Sequence, residues 1–314
     1  MDKCIAVIDL GTNTCNLMIA AYNQMDYRIL YQGKEAVKLG KKGIHKNLLT
    51  DEGLERAVRA IHQHQQKIAS YAVSEIIAIA TSAIREATNK EWFQQQIKER
   101  TQLDLTIISG DKEAELIFKG VKLAFKTLED HTLILDIGGG SNEFILLKNH
   151  VPAWKQSFPL GVARVVEQMP PSDPVTEDEI QQISQWFDQG LTSLWNRLKE
   201  VPVTTLIGCS GAFNTLTDLI DQTDAGTKTR IRQEITINDF NRIYKMLISS
   251  TTKQRMEMKG MEALRVEMIV PAILLIKLIV ERLEIKRICY TDFALMEGVL
   301  FERINEEKEI RNIK

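Results

Sequence analysis

The stretch Leu133-Ile134-Leu135-Asp136-Ile137-Gly138-Gly139-Gly140-Ser141-Asn142-Glu143-Phe144-Ile145-Leu146-Leu147 decides how the chain is read. Two apolar runs flank a glycine-rich turn, which predicts a β-hairpin. Three residues without Cβ allow successive backbone N–H groups to converge on an anion, a nest suited to phosphate at Gly138, Gly139, Gly140 and Ser141. A carboxylate beside such a nest repels phosphate unless a cation lies between. Asp136 therefore points to Mg²⁺, which takes one or two carboxylates and fills its shell with water and phosphate oxygens. An ordinary glycine turn with Asp136 as a turn residue explains a single copy equally well.

The pattern recurs near the N-terminus, in Ile5-Ala6-Val7-Ile8-Asp9-Leu10-Gly11-Thr12-Asn13-Thr14-Cys15-Asn16-Leu17-Met18-Ile19-Ala20. Superposing Asp9 on Asp136 matches strand, acid, glycine, small polar turn and strand. A duplicated hairpin implies two related halves, each offering a phosphate loop to a cleft, and makes Asp9 a further candidate metal contact. This layout resembles that of the actin-like, sugar-kinase and Hsp70-like ATPases. It implies an α/β fold of two actin-like (ribonuclease H-like) lobes, with mixed sheets flanked by helices and a cleft between them.

Composition narrows the function classes. The chain has 314 residues, enough for two domains. Its 44% hydrophobic and 26% charged content is that of an ordinary globular protein. A net charge of −2 gives no general attraction to nucleic acid or to an anionic membrane. Neither is expected as a partner. Cys4, Cys15, Cys209 and Cys289 show no CxxC spacing, and the start of the chain reads as no signal peptide, so reduced thiols and a cytoplasmic location are expected. The longest apolar segment, Met268 to Ile276, contains Pro271 and is well short of a membrane span. Five histidines without HExxH spacing argue against zinc.

Along the chain, a strand from Tyr27 to Tyr31 leads to a basic segment containing Lys34, Lys38, Lys41, Lys42 and Lys46, either a ligand loop or a solvated one. Thr50 opens a helix with an apolar stripe through Leu54, Val58, Ile61 and Ile68. Ile76 to Ala80 is a buried strand ending at Thr81-Ser82-Ala83-Ile84-Arg85. Ligands of α/β sheets bind beyond the carboxyl ends of strands, where Arg85 suits bidentate phosphate contact; pairing with Glu86 is the bland alternative. Asn89 is expected to cap the next helix. A further helix starts at Asp111, and Glu113 borders its buried stripe of Ala114, Ile117, Phe118 and Val121, which singles it out from the first-turn acids Asp111 and Glu115.

Taken in order, Asp9-x-Gly11-x-Asn13, Thr81-Ser82-Ala83-x-Arg85-x-Ala87-x-Asn89, Ile108-Ser109-Gly110-x-x-Glu113-Ala114, Asp136-Ile137-Gly138-Gly139-Gly140-Ser141-x-Glu143 and Pro159-Leu160-Gly161 resemble the exopolyphosphatase and guanosine pentaphosphate phosphohydrolase (Ppx/GppA) family. The resemblance covers nearly the whole chain. It implies a Mg²⁺-dependent hydrolase of phosphoanhydride bonds, acting on inorganic polyphosphate or guanosine pentaphosphate. Under it, Glu113 matches the base that activates water, Asp136 and Glu143 match carboxylates holding metal and water, and Arg85, Asn13, neighbouring Thr12 and the 138–141 turn match phosphate-binding groups. The chain is expected to be a short form, without the extra C-terminal helical domain of the long members. A sugar or acid kinase of the same superfold, or a non-catalytic binder of polyphosphate or alarmone, is the alternative.

In the second half, Thr176-x-x-Glu179 is a capping box, and its helix is expected to run to Leu198. Thr205 to Ala212 predicts a strand, a glycine turn and a helix start, with Ser210 and Gly211 as further phosphate contacts. A long buried helix from Met261 to Leu283 is expected to kink at Pro271, with Arg265 near a substrate channel. Ala212, Phe293 and Met296 depart from the family pattern. The expected division is residues 1–127, joined by a last helix at 299–314, against 128–298. A homodimer is a possibility.

Overall fold

The computed structural model describes residues 2–199 and 201–312, with side chains through Glu309. Contacts divide the chain into two compact units, one of residues 1–123 with 295–314 and one of residues 124–294. The helix expected at the end of the chain is present through Asn312, and its last two positions, 313 and 314, lie outside the described residues.

The first unit is built on a five-stranded sheet. Its strands are β1 (Lys3–Leu10), β2 (Thr14–Tyr22), β3 (Tyr27–Ala36), β4 (Glu75–Ala80) and β5 (Leu105–Ile107), in the order β3-β2-β1-β4-β5. β1 and β2 form the antiparallel hairpin expected around Gly11, while β4 and β5 run parallel to β1. Between β3 and β4 lies α1 (Asp51–Ile68), capped by Thr50, whose hydroxyl accepts from the Gly53 amide. Leu54, Ala57, Val58 and Ile61 of that helix are buried with Ile8, Leu10 and Leu17 of the sheet in one core. α2 (Ser82–Arg85) and α3 (Lys90–Thr101) follow β4, and α4 (Gly110–Ala124) follows β5.

The second unit repeats the plan. Its strands are β6 (Thr132–Ile137), β7 (Asn142–Lys148), β8 (Val151–Phe158), β9 (Thr205–Cys209), β10 (Gln233–Ile235) and β11 (Arg287–Thr291), in the order β10-β11-β9-β6-β7-β8. Reading outward from the first strand of each sheet, the hairpin strands lie on one side and two parallel strands on the other, with the antiparallel β10 added at the edge of the second sheet. β6, β9 and β11 are buried nearly throughout, as parallel strands covered on both faces must be. The helices of this unit are α5 (Val162–Gln168), α6 (Glu177–Gly190), α7 (Thr192–Leu198), α8 (Gly211–Asp221), α9 (Ile237–Ile248), α10 (Thr252–Glu257) and α11 (Ile269–Arg282). α12 (Leu295–Asn312) returns to the first unit and packs on β1 and β2.

Several local expectations are corrected. β3 continues through Ala36, because Lys34 to Ala36 pair with Thr14 to Asn16, so the basic segment begins inside a strand. The helix expected to run to Leu198 breaks at Leu191 into α6 and α7. Pro271 does not kink a long helix. It is the third residue of α11, where its missing N–H has no intrahelical partner to lose, and 263–268 are turns. Asn89 occupies the N-cap of α3 without capping it, since its amide exchanges hydrogen bonds with the Leu49 backbone.

The capping box at Thr176 is formed, with Glu179 accepting from the Thr176 amide at 2.8 Å. That backbone donor, helped by Ser172, holds the Glu179 carboxyl down to about 2. An unfolded glutamate takes up its proton near 4.5, so this contribution is complete above that pH and disappears as pH falls to about 2. Glu179→Ala should lower the thermal midpoint at pH 7, and the difference from wild type should close between about pH 4.5 and about pH 2 in a calorimetric series.

Candidate active site

In the first unit, the β1–β2 hairpin closes at Gly11, whose amide donates to Thr14 O at 2.9 Å. Asp9 faces Asn16 across the hairpin, and Asn16 Nδ2 donates to Asp9 Oδ2 at 3.0 Å. Asp9 Oδ1 is buried and has no hydrogen-bond partner. Burial raises the Asp9 carboxyl to about 6, against the opposing pull of the Asn16 amide. The chain leaving β3 then turns back onto this hairpin. Val37 and Lys38 amides donate to Asn13 O at 2.9 and 3.0 Å, and Leu39 and Gly40 amides donate to Thr12 O at 2.7 and 3.3 Å.

Those bonds orient the turn. In a planar trans peptide, the carbonyl of one residue and the amide of the next point in opposite directions. Holding the Thr12 and Asn13 carbonyls on the side of the 37–40 strap turns the Asn13 and Thr14 amides the other way. Successive amides presented together are an anion nest.

Arg85 and Glu113 meet in the same unit. β4 delivers Arg85 at the end of α2, and Ser109 starts α4 by accepting from the Lys112 and Glu113 amides. Arg85 Nη1 donates to Glu113 Oε2 at 2.6 Å, while its Nε donates to Glu86 Oε1 at 3.1 Å. Arg85 thus makes the bland pairing with Glu86 and a second one with Glu113. The Arg85 and Glu113 side chains are 16% and 10% exposed, so the pair is partly desolvated yet accessible at its edge. A carboxyl group hydrogen-bonded to a guanidinium has a fixed orientation.

In the second unit, Gly138 N donates to Ser141 O at 3.0 Å, the counterpart of Gly11 and Thr14. A Cβ on Gly138 would lie 2.6 Å from that Ser141 oxygen, so this position needs glycine. The chain leaving β8 backs this turn as the strap backs the first. The Gly161, Val162 and Ala163 amides donate to the Gly140, Gly138 and Gly139 carbonyls at 3.2, 3.1 and 2.9 Å. By the same planarity argument the Gly139, Gly140 and Ser141 amides face away from them. Asn142 fixes the segment by donating to Leu160 O at 2.7 Å.

Asp136 and Glu143 are directly paired across the hairpin, at the positions that Asp9 and Asn16 hold in the first unit. Ser210 Oγ donates to Asp136 Oδ2 at 2.9 Å, and Ser141 Oγ and Ser157 Oγ donate to Glu143 Oε1 at 2.6 and 2.7 Å. Ser210 therefore serves the acid in this structure. It sits in the left-handed region (φ 67°) and leads into α8, where Gly211 lies directly under the Arg265 guanidinium.

Like charges at opposed strand positions repel, and a cation beside them relieves this. The donor set of Asp136 and Glu143 suits a hard divalent ion. Among the described residues no three His, Cys, Asp or Glu side chains form a ready-made metal cage. A Mg²⁺ ion, which keeps waters and binds phosphate, does not need one. Asn16, Ser157 and the two backing segments escaped the sequence reading. The recurrence of Leu39-Gly40 and Leu160-Gly161 after the third strand of each sheet was the available signal.

Fold and hairpins define a duplicated α/β protein of actin-like fold. A model of the Ppx/GppA phosphatase family matches residues 18–307, and the chain belongs to that family. Among solved structures, an exopolyphosphatase from Cytophaga hutchinsonii superposes with a TM-score of 0.91 at 36% identity, covering 97% of this chain and 98% of its own. The Aquifex aeolicus PPX-GPPA enzyme shares the fold, with a TM-score of 0.79 at 23% identity over 96% of this chain and 100% of its own. Exopolyphosphatase 1 of Mycobacterium bovis is 24% identical over 307 residues, 97% of this chain and 89% of that protein. A bifunctional 3-dehydroquinate synthase/phosphatase of Fusobacterium nucleatum is 30% identical over 288 residues, 88% of this chain, and the chain spans only 43% of its length. No described helix is long and apolar enough to cross a membrane.

Two outcomes check this geometry. The Asp9 carboxyl titrates near 6 folded and near 3.8 unfolded, so the folded state binds more protons between those values and stability falls as pH rises through them. Asp9→Asn should leave stability nearly unchanged below about pH 4 and raise it by on the order of 2 kcal/mol above about pH 6, read by denaturant titration. A Cβ on Gly161 would collide with the Gly139 and Gly140 backbone. Gly161→Ala should cost about 1–3 kcal/mol by the same assay, as an overpacked site does.

Proposed function

We propose that the protein removes terminal phosphate from inorganic polyphosphate, with guanosine pentaphosphate as a second phosphoanhydride substrate of the same chemistry. The observation that carries the reading is the Arg85–Glu113 pair on one unit, together with hairpin turns whose amides face outward in both. Phosphoryl transfer asks little covalent chemistry of a protein and much positioning and charge neutralisation. The family membership and the exopolyphosphatase relatives support this substrate class.

Glu113 accepts a proton from the attacking water, and Arg85 orients that carboxylate and carries positive charge beside the phosphate. Asn13, Thr12, Gly138, Gly139, Gly140 and Ser141 bind the terminal phosphates, with Ser210 and Gly211 next to Asp136 as further contacts. Backbone amides cost no reorganisation as charge builds on the leaving phosphate. Asp136 and Glu143 of the second unit, and Asp9 of the first, are the candidate ligands of Mg²⁺, which when bound would neutralise phosphate charge.

The test is release of free phosphate from polyphosphate, guanosine pentaphosphate and ATP in the presence of Mg²⁺. Phosphate should be released from polyphosphate without any acceptor and should stop when Mg²⁺ is chelated. Glu113→Gln should lower the rate by about 10²–10⁴-fold while keeping tripolyphosphate binding. Transfer to a sugar or acid acceptor, or binding with no turnover by the wild type, would contradict the proposal.

A further inference from the structure

Each of the two turns is backed by a segment of chain, and an arginine holds the backing strap of the first and a turn carbonyl of the second. On α1, Arg56 Nε donates to Val37 O at 2.6 Å and its Nη2 donates to Lys38 O at 2.9 Å. Val37 and Lys38 are the residues whose amides hold Asn13 O. The peptides of the Val37 and Lys38 carbonyls carry the Lys38 and Leu39 amides, which donate to Asn13 O and Thr12 O, so one guanidinium fixes two of the four peptides that hold the carbonyls of the first turn. In the second unit Arg164 is only 8% exposed and its Nε donates to Gly140 O at 2.9 Å, the carbonyl that also receives the Gly161 amide. Arginine suits this work because its planar fork places two donors in fixed directions, which the single ammonium of lysine cannot do.

We propose that Arg56 and Arg164 are positioning residues of the two phosphate turns, acting through backbone carbonyls and not as phosphate ligands. The proposal rests on the reading that these turns hold phosphate. Its reasoning is local to each unit. Arg56 keeps the strap on Thr12 and Asn13, which keeps the Asn13 and Thr14 amides turned outward. Arg164 does the same for Ser141 through Gly140. The far end of the first strap is tied too, with the Thr88 amide on Asn47 O at 2.8 Å and Asn89 on Leu49, so the strap also joins the turn to the segment that follows Arg85. Lys38, at φ 44°, takes the left-handed backbone that this bonding demands.

An arginine that grips phosphate and one that grips backbone differ in what lysine and glutamine can replace. The experiment starts from full-length Glu113→Gln, adds Arg56→Lys, Arg56→Gln, Arg164→Lys or Arg164→Gln, and measures tripolyphosphate affinity by calorimetry at several ionic strengths with Mg²⁺ present. Amide hydrogen exchange is read at residues 37–40 and 161–163. For Arg56 we expect faster exchange at 37–40, for Arg164 faster exchange at 161–163. Both lysine and glutamine variants should lose roughly tenfold in affinity, the scale of losing hydrogen bonds from a charged group. The dependence on ionic strength should stay that of the parent. Gly40→Ala presses a methyl on Thr12 Cγ2 at 3.0 Å and disturbs the same contact without touching Arg56. It should weaken affinity likewise, and it stands in if an arginine variant does not fold. Recovery of parent affinity by lysine, or a shallower salt dependence in the glutamine variants, would make the arginines direct ligands and overturn the proposal. Unchanged affinity despite faster exchange would leave them a structural role only, which also overturns it. If the parent itself does not bind tripolyphosphate, the phosphate assignment of the turns falls, and the proposal falls with it.

Discussion

A carbonyl held in place fixes the direction of the next amide, and the structure depends on that constraint twice. At both hairpins the chain leaving the third strand of the sheet folds back and spends its own N–H groups on the turn. Glycine supplies the room for this at the second turn, where a side chain on Gly138 would strike Ser141 O. The first turn keeps Gly11 at the position matching Gly138 and carries Thr12 and Asn13 where the second has Gly139 and Gly140. The direction of the turn amides is therefore a product of sheet topology as much as of glycine content.

The two halves differ where chemistry would require it. Facing positions of the first hairpin carry Asp9 and Asn16, an acid with a neutral donor, and the same positions of the second carry Asp136 and Glu143, an acid with an acid. The first arrangement leaves one buried carboxylate oxygen without a partner and lifts the Asp9 carboxyl to about 6. The second surrounds its acids with hydroxyl donors from Ser141, Ser157 and Ser210. Duplication gave a shared scaffold, and substitution at one facing position made the second half the more anionic of the two.

Much of this was legible in the chain because its signals are local. Alternating strands, the glycine turn, the Thr50 and Thr176 caps and the order of motifs all lie within short windows, and the mixed α/β fold follows from them. What escaped depends on pairing between distant residues. Nothing near Arg56 announces that it will meet the carbonyls of Val37 and Lys38, and nothing near Ser157 points to Glu143, until the sheet register is known. The helix boundaries around Leu191 and Pro271 are hidden for a related reason. Apolar periodicity continues through a chain reversal when both pieces pack on the same core, so the pattern does not mark the break. Phe293 shows the converse, departing from the family pattern while filling core space at 3% exposure.

The central claim concerns backbone amides, and a crystal structure of the Glu113→Gln variant with Mg²⁺ and tripolyphosphate tests it most directly. The account predicts phosphate oxygens at about 2.7–3.2 Å from the amide nitrogens of Gly139, Gly140 and Ser141. Tripolyphosphate held by side chains alone, with those amides pointing elsewhere or bonded to protein, would contradict it.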